Sequence, residues 1–230
     1  MSIKQKVMYT VRWILGKQLR VRKQERQTYK KMGGDYGGFA VSLDALPINP
    51  IVYSFGVGED VSFDLDLLEQ TNATVYAYDP TPKAIAFLDT LSLPQGFIFA
   101  AYAVTDADKE LTFYLPNNPN FVSGSLDNTS NVGGSGSIIV TGKKVSSLMA
   151  INNHKRIDLI KMNIEGSEFD VVEDILKDGI DFKQICMETH ARFFSNGKER
   201  LRTMIARLNE CGYWIFAVSD NGKDISFLKD

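Results

Sequence analysis

The chain has 230 residues, of which 44% are hydrophobic and 23% charged, so it is long enough to bury one well-filled core. Two cysteines, Cys186 and Cys211, are too few for a disulfide scaffold or a four-thiol zinc site, and both are predicted to be buried thiols. The formal net charge is -2, but residues 1–31 carry ten Lys or Arg against one acid, which makes this segment +9 and the rest of the chain -11.

The first segment, residues 1–35, is predicted to be a basic helical arm. Its apolar residues recur at helical spacing, namely Ile3, Val7, Val11 and Ile14. Arg12 interrupts this apolar stretch, which is far shorter than the roughly 20 residues that span a bilayer. Two alternatives follow for residues 1–31: docking on a protein surface, either this domain or a second subunit, or peripheral contact with an anionic membrane. We expect a cytoplasmic protein, and the acidic body after residue 31 argues against nucleic acid as a partner.

Residues 36–230 are predicted to form one domain, which follows a mobile glycine-rich connection at 32–41 around Tyr36. The chain then alternates between apolar runs and helical patterns. Strands are predicted over 51–55, 74–79 and 97–104, with helices over 59–70 and 82–91 between them. Such nearly continuous apolar strands are typical of a parallel sheet that helices cover on both faces.

The second half of the domain begins with two strands, 110–115 and 137–142, which frame a loop rich in Gly, Ser and Asn. A loop of this length is predicted to be a lid over a site. Further strands and helices are then predicted over 157–164, 167–177, 184–189 and 197–210. The C-terminal residues form two strands that turn at Asp220, Asn221 and Gly222, so a mostly parallel sheet ends in an antiparallel hairpin.

A glycine pair, Gly56 and Gly58, follows the first strand of the domain. In an open parallel sheet this turn is the usual floor of a ligand site, and glycine lets backbone amides approach the ligand. A dinucleotide site would need a third glycine at position 61, where this chain has Val61. Glu59 and Asp60 also place negative charge where a pyrophosphate would lie. The loop therefore favours a cationic or zwitterionic ligand without phosphate, such as S-adenosylmethionine.

Asp79 ends the second predicted strand, twenty-one residues after Gly58. A carboxylate at this strand end is placed to accept hydrogen bonds from both ribose hydroxyls of a nucleoside. This feature is shared by nicotinamide and S-adenosylmethionine sites. The structural alternative is a turn, because Asp before Pro80 commonly opens one.

A second polar group is predicted at the same edge of the sheet. Asn163 and Glu165 follow the fourth strand, and Glu188 and His190 end the fifth. A hydroxyl that attacks a methyl group must lose its proton, and His190 is the first candidate base, with Glu188 and Glu165 next. A loop-capping histidine and carboxylates that bind backbone amides are the structural alternatives. A divalent metal on Asn163, Glu165 and Glu188 is a weaker alternative, and no metal is predicted.

The stretches VYSFGVGEDVSFD, YDPTP, LIKMNIEGSEFDVV and METH resemble the FkbM family of S-adenosylmethionine-dependent methyltransferases, over about residues 36–230. The resemblance implies an α/β, Rossmann-like fold with a seven-stranded, mostly parallel sheet, helices on both faces and a C-terminal antiparallel hairpin. It also implies O-methylation of a sugar-like or other small-molecule acceptor. Asn163 stands where family members usually have Asp, and a neutral amide cannot accept a proton. The predicted cofactor-binding residues are Phe55, Gly56, Gly58, Glu59, Asp79, Pro80 and Asn163.

Two other functions remain open at this point. A nicotinamide-dependent oxidoreductase would use the same glycines and Asp79, and a non-catalytic relic would keep the ligand but lack turnover. In the methyltransferase, Tyr36 and the loop 116–136 are expected to reach over the site. Ser123, Ser125 and Asn128 of that loop are predicted to bind acceptor hydroxyls.

Overall fold

The computed structural model describes residues 18–34, 38–118, 124–126 and 132–230, together with Val11 and Trp13. Most of the predicted arm helix lies outside these residues, as do Tyr36, Ser123 and Asn128. Val11 and Trp13 are helical and exposed, and Arg20 lies over the Trp13 ring, 4.5 Å from its centre. No helix among the described residues is long and apolar enough to cross a membrane.

The chain alternates between strands and helices from residue 51 onward, as predicted. The strands are β1 (Lys30–Met32), β2 (Phe39–Val41), β3 (Ile51–Phe55), β4 (Thr74–Tyr78), β5 (Phe97–Ala100), β6 (Ala103–Val104), β7 (Lys109–Pro116), β8 (Val132–Lys143), β9 (Ile157–Met162), β10 (Phe182–Glu188), β11 (Tyr213–Val218) and β12 (Asp224–Lys229). The helices are α1 (Ser62–Gln70), α2 (Pro82–Leu88), α3 (Val145–Ile151), α4 (Glu168–Lys177) and α5 (Gly197–Glu210).

The central sheet has seven strands in the order β11-β12-β10-β9-β3-β4-β5. Within it β12 is antiparallel to both of its neighbours, and the other pairs are parallel, which confirms the predicted architecture. Strand order reverses between β3 and β9, whose register pairs Phe55 with Met162. The two strands therefore end level with each other, and a ligand crevice is expected outside these ends.

Apolar residues cover both faces of this sheet. All six residues of β9 are buried, because helices pack on each side. One face carries α3, α4 and α5, and the predicted inward stripe of α4, which includes Phe169, Val172 and Ile175, is buried there. On the other face α1 and α2 pack through side chains such as Leu67 and Leu88.

The predicted strand 97–104 is wrong as a single element. The chain leaves the central sheet after Ala100, and β6 pairs instead with β8 at Gly142 and Lys143. β6, β8 and β7 form a separate three-stranded sheet. The apolar run hides this switch because Ala103 and Val104 are buried in their new surroundings too. Helix α3 was not predicted.

The glycine-rich stretch 32–41, predicted to be a mobile connection, contains strands of an antiparallel hairpin in its described part. Met32 of β1 pairs with Phe39 of β2, and both side chains are buried. The Phe39 ring packs edge-on against Phe63 of α1, with 5.8 Å between centroids. The two strands of this hairpin come from opposite sides of the predicted boundary at residue 35. The division of the chain into an arm and a domain stays a prediction.

The two cysteines differ in burial. Cys186 on β10 is buried as predicted, and its surroundings raise the pKa of the thiol well above its usual range, chiefly through burial. Cys211 is exposed, so the prediction for this residue was wrong. Cys211 is the C-cap residue that follows α5, where the chain turns through Gly212 into β11.

Candidate active site

The turn after β3 needs glycine for a reason that the local sequence does not show. Gly56 and Gly58 have φ angles of 73° and 60°. Residues other than glycine adopt this left-handed region only at a cost in conformational energy. A Cβ added to Gly56 would lie 1.8 Å from the Asn163 carbonyl oxygen. The Asn163 amide also donates to the Phe55 carbonyl at 2.9 Å. Gly56 is therefore bare because the turn after β9 crosses it at close range.

Asp79 meets the glycine turn, as the sequence predicted. One carboxylate oxygen accepts a hydrogen bond from the Gly58 amide at 2.9 Å. The other accepts from the Thr81 amide at 2.8 Å and from the Thr81 hydroxyl at 2.5 Å. The structural alternative, a turn-opening aspartate, is thus also realised. Since a carboxylate has roughly four acceptor positions and three are used, at least one remains for a ligand hydroxyl, and the predicted binding of both ribose hydroxyls stays a prediction.

The acids that follow the glycines lie in a loop, not in a helix. Helix α1 begins at Ser62, three residues later than predicted, and the Asp60 carboxylate accepts from the Ser62 amide at 2.9 Å. The loop persists because Gly58 is held by Asp79 and so cannot enter helical geometry. Glu59 is exposed and lines the cavity described below.

Lys161 supports this turn from beneath, a role that was not predicted. Its ammonium donates to the Gly56 carbonyl at 2.7 Å and to the Phe55 carbonyl at 3.4 Å. Burial lowers the pKa of Lys161, and the nearby Asp64 carboxylate opposes that effect. Burial likewise raises the pKa of Asp64, which is fully buried on α1, and Lys161 opposes it. An acid between the core residues Phe63 and Leu67 was the sequence signal for this pair.

Glu165 follows β9 in an unusual backbone conformation, with φ of 52°. A residue other than glycine rarely adopts this region, and such residues cluster at functional sites. The Ser125 hydroxyl donates to the Glu165 carbonyl at 2.9 Å, and Ser125 is buried. This contact holds the Glu165 backbone, and the predicted role of Ser125 in binding acceptor hydroxyls stays a prediction.

His190 is surrounded by three glutamates. Its Nε2 lies 3.3 Å from Glu165 Oε2 and 3.7 Å from Glu188 Oε1, and its Nδ1 lies 3.4 Å from Glu168 Oε1. The ring is 1% exposed, and burial by itself would lower its pKa. The carboxylates, Glu168 above all, outweigh burial and raise the pKa of His190. The three carboxylates therefore favour the protonated form of the ring, against the effect of burial.

The Glu188 oxygen that faces His190 also has two cations near it. Its Oε1 lies 3.4 Å from the Arg192 guanidinium and 3.5 Å from the Lys223 ammonium. Asp224 is its partner across the β10–β12 pair, and burial raises the pKa of Asp224. Both strand ends thus face the same edge of the sheet as Glu165.

One cavity of about 1410 Å³ joins these two groups of residues. Its wall includes the glycine turn, Asp79, Asn163, Glu165 and Glu188. Of the predicted cofactor-binding residues, the following line it: Gly56, Gly58, Glu59, Asp79, Pro80 and Asn163. Phe55 does not, because its fully buried ring packs between Tyr53 and Tyr78 in the core, at 6.1 and 5.9 Å.

Other parts of the wall come from the hairpin and the long loop. Gly38 and Ala40 lie on one side, and Asn117, Gly124 and Ser125 on another. The described part of the predicted loop 116–136 therefore reaches the cavity. Among the described residues there is no group of three or more His, Cys, Asp or Glu side chains arranged to hold a metal ion.

Comparison with known proteins places this geometry in context. Residues 51–215 match the model of the methyltransferase FkbM domain. Among curated proteins, none matches the chain. Solved structures with a similar fold include the Methanococcus jannaschii fibrillarin pre-rRNA processing protein, which is 13% identical with a TM-score of 0.47 over 80% of this chain and 68% of that one. A putative S-adenosylmethionine-dependent methyltransferase from Listeria monocytogenes is 11% identical with a TM-score of 0.44 over 81% and 95% of the two chains.

Proposed function

Because the chain belongs to the FkbM family of S-adenosylmethionine-dependent methyltransferases, we propose that it methylates a hydroxyl group of a sugar-like or other small acceptor. Family membership favours methyl transfer over the nicotinamide-dependent alternative. The observation that carries the proposal is the single cavity, which has the glycine turn and Asp79 in one part of its wall and Glu165 and Glu188 in another. A cofactor and an acceptor could therefore meet in one enclosed space.

The residues around the glycine turn fit S-adenosylmethionine. Asn163 Oδ1 is buried and accepts no hydrogen bond from any described residue, so it can accept one from a ligand ammonium. Glu59 adds negative charge to the same wall, and Asp79 keeps an acceptor position for a ribose hydroxyl. When bound, the cofactor supplies a methyl group on a positively charged sulfur. The residues that would hold it are Gly58, Glu59, Asp79 and Asn163.

Glu165 is the proposed proton acceptor for the attacking hydroxyl. Its carboxylate lines the cavity and has one cationic neighbour, His190, within 4 Å among the described residues. The Glu188 carboxylate is shared between His190, Arg192 and Lys223, so we assign it to orienting the acceptor. His190 is 1% exposed and does not line the cavity, and both of its ring nitrogens face carboxylates, so the ring is screened from an attacking hydroxyl. The proposal therefore replaces His190, the first predicted base, with Glu165.

The test combines binding with turnover. Calorimetric titration with S-adenosylmethionine, S-adenosylhomocysteine and NAD is expected to show binding of the first two only. Transfer of labelled methyl groups is then measured on methyl glycosides of glucose, galactose, mannose and rhamnose. Binding of NAD alone would contradict methyl transfer, and cofactor binding without turnover on any glycoside would contradict the proposed acceptor class.

A variant test addresses the proton acceptor. Glu165→Gln keeps the shape of the side chain but removes its basicity, so kcat is expected to fall about 100-fold or more while cofactor affinity is kept. Glu173→Gln is the matched control, because this glutamate lies on the outer face of α4, where it pairs with Arg207 at 3.5 Å. Equal kcat values for the two variants would remove Glu165 from this role.

The predicted location and arm contacts also stay proposals. We propose a cytoplasmic protein whose basic residues 1–31 either dock on a protein surface, of this domain or of a second subunit, or touch an anionic membrane. Leu19 and Val21 pack against the core of this domain, and the Gln24 backbone amide donates to the Ile215 carbonyl at 2.7 Å, which supports docking. The charge of +9 on the segment and the exposure of Val11 and Trp13 support the membrane alternative. Sedimentation with phosphatidylserine-containing vesicles, but not with phosphatidylcholine vesicles, is the expected result for the membrane alternative.

A further inference from the structure

Glu168 is a fully buried carboxylate that does not line the cavity. It contacts the turns that follow β9 and β10, and residues at the ends of both strands line the cavity. Its Oε2 accepts from the Gly166 amide at 2.8 Å, in the turn after β9. Its Oε1 accepts from the His190 amide at 2.5 Å, in the turn after β10, and lies 3.4 Å from the ring Nδ1 of the same residue. One side chain therefore ties two neighbouring turns together.

Buried charges are rarely present without a partner, because their desolvation is costly. Here the carboxylate has two backbone amides and the His190 ring as partners. The Nε2 side of that ring faces Glu165 at 3.3 Å and Glu188 at 3.7 Å. The contacts form a continuous chain from Glu168 through His190 to both carboxylates of the cavity wall.

We propose that Glu168 is a positioning residue: together with the His190 ring it sets the separation and orientation of Glu165 and Glu188 across the acceptor part of the cavity. This inference rests on the proposed function for its effect on turnover, but its structural part can be tested without any acceptor. Neither Glu168 nor His190 needs to touch a substrate for this role.

The charges around His190 define its expected pH behaviour. Glu165 and Glu168 face it from the β9 side, Glu188 from β10 and Asp224 from β12, while Arg192 and Lys223 are cations next to Glu188. Burial opposes the charged ring, but the carboxylates raise the pKa of His190 above its ordinary value of about 6.5. The stabilisation from this group is therefore complete below about pH 6.5 and is lost as pH rises through the raised pKa of the folded state.

The carboxylate partner behaves in the opposite sense. Burial by itself would raise the pKa of Glu168, but the hydrogen bonds and charge of His190 lower it overall. Its stabilisation is present above the ordinary carboxyl pKa of about 4.3 and is lost as pH falls through the lowered folded value. Both contributions are therefore complete together only between about pH 4.3 and about pH 6.5, the ordinary pKa values of the two groups.

The experiment is a ¹⁵N NMR titration of the histidine rings, which is simple because the chain has only two, His154 and His190. Signals are assigned with the variant His154→Asn. In the unaltered protein the pKa of His190 is expected to lie above its ordinary value of about 6.5. A His190 pKa at or below that value would overturn the proposal, whatever the variants do.

Glu168→Gln then removes the carboxylate while keeping its shape. The pKa of His190 is expected to fall by about one unit or more, and kcat on the best glycoside of the panel by about 10- to 100-fold, with S-adenosylmethionine affinity within about twofold. Glu173→Gln, on the same helix, is expected to change none of these quantities. An unchanged His190 titration in Glu168→Gln, or a loss of kcat without any change in that titration, would refute the positioning role.

Discussion

Substituting Gly56 by alanine tests the closest approach in the candidate site. The new methyl group would lie 1.8 Å from the Asn163 carbonyl oxygen, far inside van der Waals contact, and the obstructing atom is backbone. Alanine at a φ of 73° also costs about 1–2 kcal/mol from conformation alone. Relieving the overlap requires the turn after β9 to shift, which adds about 1–3 kcal/mol by analogy with overpacked cores. We therefore expect Gly56→Ala to lower the free energy of unfolding by about 2–5 kcal/mol.

The matched control is Gly179→Ala. Gly179 has a similar φ of 65°, but a Cβ there would have no heavy atom within 4 Å. This variant should show the conformational cost of about 1–2 kcal/mol and nothing more. The difference between the two variants therefore isolates the contact between Gly56 and Asn163.

Urea unfolding followed by circular dichroism measures both variants, provided that the dependence of the free energy on urea is unchanged. Calorimetry then measures S-adenosylmethionine binding, which should weaken in Gly56→Ala, since Asn163 must move, and stay unchanged in Gly179→Ala. If Gly56→Ala costs no more stability than Gly179→Ala, the close approach of the two turns is not present in solution.

Three further predictions concern neighbouring contacts. Asp79→Asn replaces an acceptor of three internal hydrogen bonds, so the calorimetric Kd for S-adenosylmethionine should rise about tenfold or more, and an unchanged Kd would exclude Asp79 from the site. Lys161→Met removes the donor to the Gly56 carbonyl and should cost about 1–3 kcal/mol in urea unfolding. Asp64→Leu in the same chain should restore part of that loss if the two buried groups are coupled. Ser125→Ala removes the donor to the Glu165 carbonyl and should cost about 1 kcal/mol of stability. It should also lower turnover without weakening cofactor binding. Unchanged turnover would leave Ser125 with a packing role only.

The sequence predicts the central sheet well because its signals are local. Buried parallel strands are apolar on both faces, and the turns between them carry Gly, Asp and Pro at fixed places. The same signals bring Asp79 to Gly58, since both residues follow neighbouring strands directly. They fail at 97–104, because an apolar run does not say which sheet each of its residues joins.

Contacts between distant parts of the chain are the features that the sequence does not predict. Gly56 looks like a ligand-binding glycine, but its neighbour is the Asn163 carbonyl, which only the packing of β3 beside β9 brings near. His190 looks like a free base, but Glu168, at the start of α4, lies 3.4 Å from its Nδ1 and raises its pKa. In both cases the sequence indicates a functional residue type, but the role of the residue depends on a partner that only the fold brings near.

The charges in the cavity wall limit where the rate of the proposed methyl transfer can originate. Acids such as Glu59 attract a positively charged sulfur, and they bind the reactant more tightly than the uncharged thioether that remains after transfer. Interactions that favour the ground state give affinity but no acceleration. Acceleration must therefore come from the acceptor side, through proton removal and alignment. Glu165 lies on this acceptor side, with a strained backbone, a hydrogen bond from Ser125 and a contact with His190. Substitutions that disturb Glu165 should therefore lower kcat more than they lower the affinity for the cofactor.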